Sequence, residues 1–331
     1  MMRVFLTHSP DMLANFYGDR ALAALRTHAP VRLNSTGRVL DDPVALVREA
    51  GDAQILVADR RTPVPEAVFA AMPDLVAVCR VAVDISTIDV AAASRHGVLV
   101  TRATPGFVPA VVELALGMLV DLARGVSSAV MAYRSGQDPV MQRGRQLQGA
   151  TLGIIGYGVL GERMAELALA LRMRVLVCDP HRQVTAQGLQ QVGFADLLSG
   201  SDFVVCLAVA APGTFNMMNS AAFAAMRPGA RFLNLSRGEL VDEAALEAAL
   251  ASGHLAGAAL DVGRAPDQKP SPHLAARADV IATPHIGGLT PEATEHQAFD
   301  TVAQVAALVA GELPGGAVNA DEAFRWRRGL A

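Results

Sequence analysis

From residue 3 to about residue 101, short runs rich in Val, Leu and Ile alternate with Ala-rich stretches of helical period. Arg3–His8, Val31–Asn34, Ile55–Ala58, Val76–Val81 and Val98–Thr101 read as strands. Ala21–Thr27, Pro43–Glu49, Pro65–Met72 and Val90–His96 read as helices, with Pro43 and Pro65 suited to the first turn. Such alternation predicts a parallel sheet covered by helices. A long helical stretch from about Val108 to Tyr133 and a polar segment, Arg134–Gln148, lead into a second series of strands. These are Leu152–Gly156, Arg174–Cys178, Phe203–Val209, Arg231–Leu235, Gly257–Val262 and Val280–Ala282, continuous apolar runs of the kind that sheets buried on both faces require. Pro291–Gly311 is helical in period with no strand after it, so it is expected to pack back across a domain interface, and Phe324–Ala331 is expected as a short closing helix.

With 331 residues, 52% hydrophobic and 18% charged, the chain can bury cores for two domains, which excludes a disordered or fibrous protein. A formal charge of -4 gives no electrostatic reason for a nucleic-acid or anionic-membrane partner, so a small molecule is expected. Cys79, Cys178 and Cys206 stand inside apolar runs at neither disulfide nor metal-ligand spacing. They read as core filling in a reducing compartment, with no metal expected. The N-terminal apolar run is too short for a signal peptide, and the long apolar stretches carry Glu113 and Asp121, so a soluble, cytoplasmic protein is expected.

Gly156-Tyr157-Gly158-Val159-Leu160-Gly161 directly follows one predicted strand and opens a helical pattern, Glu162–Leu171. In that context the first glycine permits a tight turn, the second lets backbone approach a pyrophosphate, and the third lets helix pack on strand. Asp179 ends the next strand, eighteen residues after Gly161, where a carboxylate accepts from ribose hydroxyls and repels a 2′-phosphate. NAD(H) is therefore favoured over NADP(H), with His181 and Arg182 next door as the reason to keep the second open. A glycine-rich turn and a strand-terminal turn Asp are the plainer alternatives.

Three ionisable residues end later strands, where ligands sit in open α/β sheets. Arg237, in Asn234–Asp242, can hold a carboxylate bidentately and polarise a neighbouring carbonyl, or it can simply pair with Glu239 or Asp242. Asp261 is expected to face the same crevice. His285, in Thr283-Pro284-His285-Ile286-Gly287-Gly288, is a candidate acid/base because imidazole titrates near neutral pH, although a single His after a strand is often structural.

The Gly156–Gly161 turn, Met226-Arg227-Pro228-Gly229-Ala230, the Asn234–Asp242 block and Thr283–Gly288 together resemble the D-isomer-specific 2-hydroxyacid dehydrogenases, the phosphoglycerate dehydrogenase-like family. Thr104-Pro105-Gly106, Val112-Glu113-Leu114 and Gly315–Asn319 extend the resemblance over nearly the whole chain. It implies a flavodoxin-like substrate domain from residues 1–101 and 290–331, a Rossmann-type NAD-binding domain at 102–289, each with a doubly wound parallel sheet, and a homodimer formed through the latter. It implies hydride transfer between NAD(H) and a small 2-oxo or 2-hydroxy acid, with Arg237 on the substrate carboxylate and carbonyl and His285 moving the proton. By the same resemblance Asp261 meets the nicotinamide amide, while Thr214, Leu235, Ser236 and Gly288 lie along the cofactor. A dehydrogenase of another small anion, of the phosphite or formate type, and an NAD(H)-sensing protein with little turnover are the rival readings.

Three departures from the family pattern matter, together with one N-terminal loop that resembles the family's substrate-facing segment. A glutamate that the family places five residues after the Asp of Leu-Asp-Val, where it keeps the catalytic imidazole protonated, is here Pro266, and Asp267 is expected to replace it through a local backbone shift, with a solvent-exposed turn Asp following a proline as the alternative. The turn whose backbone N–H groups would take the substrate carboxylate reads Val81-Ala82-Val83-Asp84-Ile85, with Asp84 where glycine is usual. Leu207-Ala208-Val209 replaces a His-x-Pro. Finally, Asp59-Arg60-Arg61-Thr62-Pro63 offers two guanidinium groups that either read a second anionic group on the substrate or pair at the surface with Asp59.

Overall fold

The computed structural model describes residues 2–141 and 143–328, and the end of the expected closing helix, residues 329–331, lies outside them. The chain divides into two compact units, Met1–Phe107 with Thr290–Ala331 and Val108–Leu289.

In the first unit, β1 (Val4–Leu6), β2 (Val31–Leu33), β3 (Ile55–Ala58), β4 (Ala77–Arg80) and β5 (Leu99–Arg102) form a parallel sheet in the order β2-β1-β3-β4-β5. The strand period of two sorts the side chains. Val4, Leu6, Ile55 and Val57 face one layer of helices, and Phe5, Leu56, Ala58 and Val78 face the other. Full burial of each larger side chain stabilises by about 1.5–3 kcal/mol, so the continuous apolar runs follow from helices on both faces. Helix Pro291–Ala310 contributes Ala298, Val302, Val305 and Leu308 to the first of these layers, within this unit.

The first unit reaches Phe107, six residues past the expected boundary at 101. Residues 102–107 are tied to it: Arg102 N–H donates to the Gly316 carbonyl, Ala103 N–H to the Ala82 carbonyl, and Thr104 N–H to the Asp300 carboxylate. Strand ends are also shorter than expected. The chain leaves β1 at Thr7 and turns into helix Pro10–Phe16, whose N-cap Ser9 accepts from Met12 N–H. That seven-residue helix was too short to show a period in the sequence.

In the second unit, β6 (Thr151–Ile155), β7 (Arg174–Cys178), β8 (Leu189–Gln191), β9 (Phe203–Cys206), β10 (Ala230–Asn234), β11 (Leu255–Leu260) and β12 (Val280–Ala282) are all parallel, in the order β12-β11-β10-β9-β6-β7-β8. β8 was not expected; it is a short edge strand with no apolar run, since Gln190 and Gln191 are exposed. The expected long helix is two, Val108–Arg124 and Val126–Arg134, bent by 71° at Gly125. Gly125 takes a left-handed φ of 67°, its N–H closes on the Asp121 carbonyl, and the Asp121 carboxylate accepts Ser127 N–H to start the second helix. Among the described residues no single helix is long and apolar enough to cross a membrane, and this bent pair alone passes by length and composition.

Candidate functional site

Because every strand of the second sheet runs the same way, the stretches singled out from the sequence all leave it at one edge. Gly156 follows β6, Asp179 follows β7, Leu207 follows β9, Leu235 follows β10, Asp261 follows β11 and Thr283 follows β12. The strand order reverses between β6 and β9, the position at which open α/β sheets receive dinucleotides.

The glycines at this point have separate reasons. Gly156 has φ 95°, and a Cβ there would lie 2.7 Å from the Ala208 Cα. At Gly161 a Cβ would lie 2.2 Å from the Gly156 carbonyl oxygen, so the helix could not approach its strand. Gly158 caps the helix Val159–Ala170, and a Cβ there would meet nothing within 4 Å. The open side of Gly158 thus leaves the free N–H groups of the first helical turn, which Val159 and Leu160 begin, accessible to a phosphate.

Asp179 accepts from the N–H groups of Tyr157 (2.7 Å), His181 (2.8 Å) and Arg182 (3.0 Å). Burial acts to raise its pKa, but these donors outweigh it and hold the carboxyl below its usual range. Arg182 is turned away from the role of phosphate ligand: its guanidinium donates to the Tyr157 carbonyl and pairs with Glu162. This disfavours a 2′-phosphate beside Asp179. Thr214 Oγ1 donates to the Val209 carbonyl and Ser236 Oγ to the Ala208 carbonyl (2.5 Å), so both hydroxyls shape the loop after β9. Leu235 is buried beside them, whereas Val209 is 80% exposed at the rim.

Arg237 is exposed at the start of the turn Gly238–Leu240. Asn234, to which the sequence pattern assigns no role, braces that turn by accepting Ser236 N–H and donating to the Arg237 carbonyl (2.9 Å). Among the described residues Arg237 forms no ion pair with Glu239 or Asp242. Asp242 caps helix Glu243–Ala251, and Glu239 accepts from the Gln268 side chain.

The His285 loop is organised from below. Asp261, 2% exposed, accepts Thr283 Oγ1 (2.7 Å) and Ile286 N–H (2.8 Å) on Oδ1 and Gly287 N–H (2.8 Å) on Oδ2. A Cβ on Gly287 would stand 2.8 Å from that Oδ2, which explains the glycine. His285 itself has a left-handed φ of 59°. The carboxylate expected of Asp267 is not what meets the ring. Its side chain is 74% exposed, 3.9 Å from Lys269, while its backbone carbonyl lies 2.9 Å from His285 Nδ1. A carbonyl only accepts, so Nδ1 carries the hydrogen, and in the neutral ring the lone pair is then on Nε2. The turn that presents this carbonyl has Asp267 and Gln268 at φ 60° and 56° and is closed by the Ala265–Lys269 bridge. A proline at 266 starts such a turn, which brings the carbonyl rather than the side chain to the ring. Half-buried Gly288 follows the loop.

In the first unit the loop after β3 exposes Arg60 and Arg61. Of the two readings of this loop, the surface pairing with Asp59 does not form. Its carboxylate is buried on Thr7 Oγ1, Thr62 Oγ1 and the N–H groups of Arg61 and Thr62, and neither guanidinium makes an ion pair among the described residues. Burial acts to raise the Asp59 pKa, and those donors bring it below its usual range. The Asp84 carboxylate turns onto Ser86, accepting its N–H (2.8 Å) and Oγ–H (3.0 Å). Sequence reasoning gave no role to Arg80, although an arginine within the apolar run Ala77–Val81 is a signal of a compensated polar interaction.

The family profile described as D-isomer specific 2-hydroxyacid dehydrogenase, NAD binding domain, matches residues 116–287. The chain is 33% identical over 302 residues to the (S)-sulfolactate dehydrogenase of Chromohalobacter salexigens, covering 90% of this chain and 97% of that enzyme. It is 32% identical over 319 residues to the D-3-phosphoglycerate dehydrogenase of Mycobacterium leprae, covering 94% of this chain and 58% of that longer one. Among solved structures, the TT0316 protein from Thermus thermophilus superposes with a TM-score of 0.84 at 29% identity, covering 96% of this chain and all (100%) of that one.

Proposed function

The chain belongs to the D-isomer-specific 2-hydroxyacid dehydrogenase family, an NAD-linked oxidoreductase of 2-hydroxy or 2-oxo acids, and from that premise we propose that its substrate is a small D-2-hydroxy acid carrying a second anionic group. The observation that carries this reading is the pair Arg60 and Arg61, two exposed guanidinium groups left without a carboxylate partner among the described residues because Asp59 is turned inward. The sulfonate and the phosphate in the names of the two relatives are anions of the matching kind.

We assign the first unit to substrate and the second to NAD(H). Gly156–Gly161 would hold the pyrophosphate and Asp179 the adenosine ribose, with Thr214, Leu235, Ser236 and Gly288 along the cofactor. Bound NAD(H) supplies the hydride donor or acceptor. Arg237 grips the substrate carboxylate and stabilises charge on the neighbouring oxygen. His285 Nε2 takes the hydroxyl proton in oxidation and, as imidazolium, returns it in reduction. Val83 and Asp84 offer backbone N–H groups to the carboxylate. Asp261 acts by fixing the His285 loop, since its oxygens are already taken by that loop.

Helix Val126–Arg134 buries none of its residues, and Val120, Val126, Val130 and Met131 are exposed along it and its neighbour, which supports a second copy of the chain on this face. Cys79, Cys178 and Cys206 are all free thiols, which supports a reducing, cytoplasmic compartment. The test is NADH oxidation with three-carbon 2-oxo acids bearing a C3 sulfonate or phosphate, against pyruvate. Replacing Arg60 by Ala is expected to raise KM for the dianions by about tenfold or more with little change for pyruvate. Equal effects on both substrates would refute the second-anion reading.

A further inference from the structure

We infer that Arg80, buried at the end of β4, is a positioning residue that sets the spacing between the arginine-bearing loop and the Val83–Asp84 turn, and through it which dianions the enzyme prefers. This rests on the reading of Arg60 given above. Arg80 is 1% exposed, the largest fully buried side chain among the described residues. All five of its N–H donors are spent on two loops. Nη1 donates to the carbonyls of Asp59 and Thr62, and Nη2 to the Arg60 carbonyl (3.2 Å). On the other side Nε donates to the Asp84 carbonyl (3.1 Å) and Nη2 to Thr87 Oγ1.

One planar fork therefore spans the loop that presents Arg60 and Arg61 and the turn that presents Val83 and Asp84. The two segments are joined again just beyond it, where Val64 N–H donates to the Thr87 carbonyl and Asp89 N–H to the Val64 carbonyl. Desolvation lowers the Arg80 pKa to about 10, with Asp59 and Asp84 opposing, so the side chain stays charged at neutral pH. A charge this deeply buried normally requires a carboxylate partner. Here the Asp59 carboxylate is consumed by threonines and N–H groups, and the guanidinium is satisfied by loop carbonyls and one hydroxyl. That arrangement fixes backbone positions, which an apolar residue of similar volume would not do.

A monoanionic substrate needs only the carboxylate site, whereas a dianion needs both sites at a fixed separation. Loss of the spacer is therefore expected to weaken dianions selectively. The experiment compares full-length wild type, Arg80→Lys, Arg80→Met and Arg60→Ala on C3-phosphorylated and C3-sulfonated 2-oxo acids, a longer dianion (2-oxoglutarate) and pyruvate, with NADH affinity measured by fluorescence. For Arg80→Lys, whose three point-like donors cannot span both loops, kcat/KM for the three-carbon dianions is expected to fall about 10- to 100-fold, mostly through KM. Pyruvate is expected to change about threefold or less, NADH affinity to hold, and the preference for three-carbon over five-carbon dianions to flatten.

If pyruvate and the dianions fall together, Arg80 is merely structural and the inference is wrong. If Arg80 variants do not fold, Thr87→Val removes one partner of the fork and is expected to lower the dianion-to-pyruvate ratio by about two- to fivefold; an unchanged ratio overturns the inference. Should Arg60→Ala leave dianion preference intact, the second-anion reading fails and this inference with it. Should only the Arg80 and Thr87 variants be neutral, the reading stands and the inference alone falls.

Discussion

The two sheets position their working loops with opposite chemistry. At the end of β11 a buried carboxylate, Asp261, gathers two N–H groups and a hydroxyl and so folds the His285 loop around itself. At the end of β4 a buried guanidinium, Arg80, gathers four carbonyls and a hydroxyl and so holds two loops against each other. Asp261 acts over one short turn, the stretch Thr283–Gly287. A guanidinium reaches further and can join separate segments. These two buried charges organise backbone rather than forming ion pairs, unlike buried Asp202, which pairs with Arg145 and Arg227, and the sign of the charge decides whether it collects N–H or C=O groups.

The comparison breaks most severely at Asp261. In Asp261→Asn the amide oxygen can still accept from Thr283 and Ile286, but the NH2 group then faces Gly287 N–H, donor against donor. The His285 loop is expected to shift and kcat to fall about 100-fold, while NADH affinity measured by fluorescence titration changes little. The opposite result, weak NADH binding with kcat retained at saturation, would return Asp261 to the role of nicotinamide partner and remove it from this comparison.

The two regions also differed in how legible they were. The Gly156–Gly161 turn, Asp179 and the strand-end positions of Arg237, Asp261 and His285 could be read because strand period, glycine spacing and parallel topology place them on one edge. What escaped was contact chemistry that spans long sequence separations: Arg80 with the Asp59–Thr62 loop, and the choice between side chain and carbonyl at Asp267. Periodicity carries no information about which atom of a loop residue turns inward. The break at Gly125 was missed because the apolar pattern runs through it, although its left-handed backbone is set by that one residue.

A smaller effect sharpens the contrast at His8. Its ring lies 5.3 Å from Tyr17, in the buried cluster of Asp59 and Arg80, and its Nδ1 has no hydrogen-bond partner among the described residues. Burial lowers its pKa from 6.5 to about 4, against the pull of Asp59. The unfolded chain thus takes up a proton between those values and the folded chain does not. Stability is fully present above pH 6.5 and is lost as pH falls towards 4, by about 3 kcal/mol. Denaturant titrations at pH 7 and pH 4.5 are expected to show this loss in the wild type and a reduced one in His8→Gln. An identical acid dependence in the variant would mean that the first unit's buried charges do not make it the acid-sensitive half.

The smallest effect is expected at Asp267, and it tests whether backbone or side chain serves His285. The Asp267 carboxylate is solvent-exposed beside Lys269, and only its carbonyl meets Nδ1. Asn tolerates the left-handed φ of 60° found there as readily as Asp does. Asp267→Asn therefore keeps both the turn and the carbonyl while removing the charge, and the pH–rate profile of reduction is expected to superpose on that of wild type. Asp267→Val, which disfavours this backbone conformation, is expected to lower kcat about tenfold by withdrawing the carbonyl from the ring. If instead Asn shifts the profile and Val does not lower kcat, the carboxylate swings onto His285 during turnover, and the imidazole of this enzyme is supported by a charge after all.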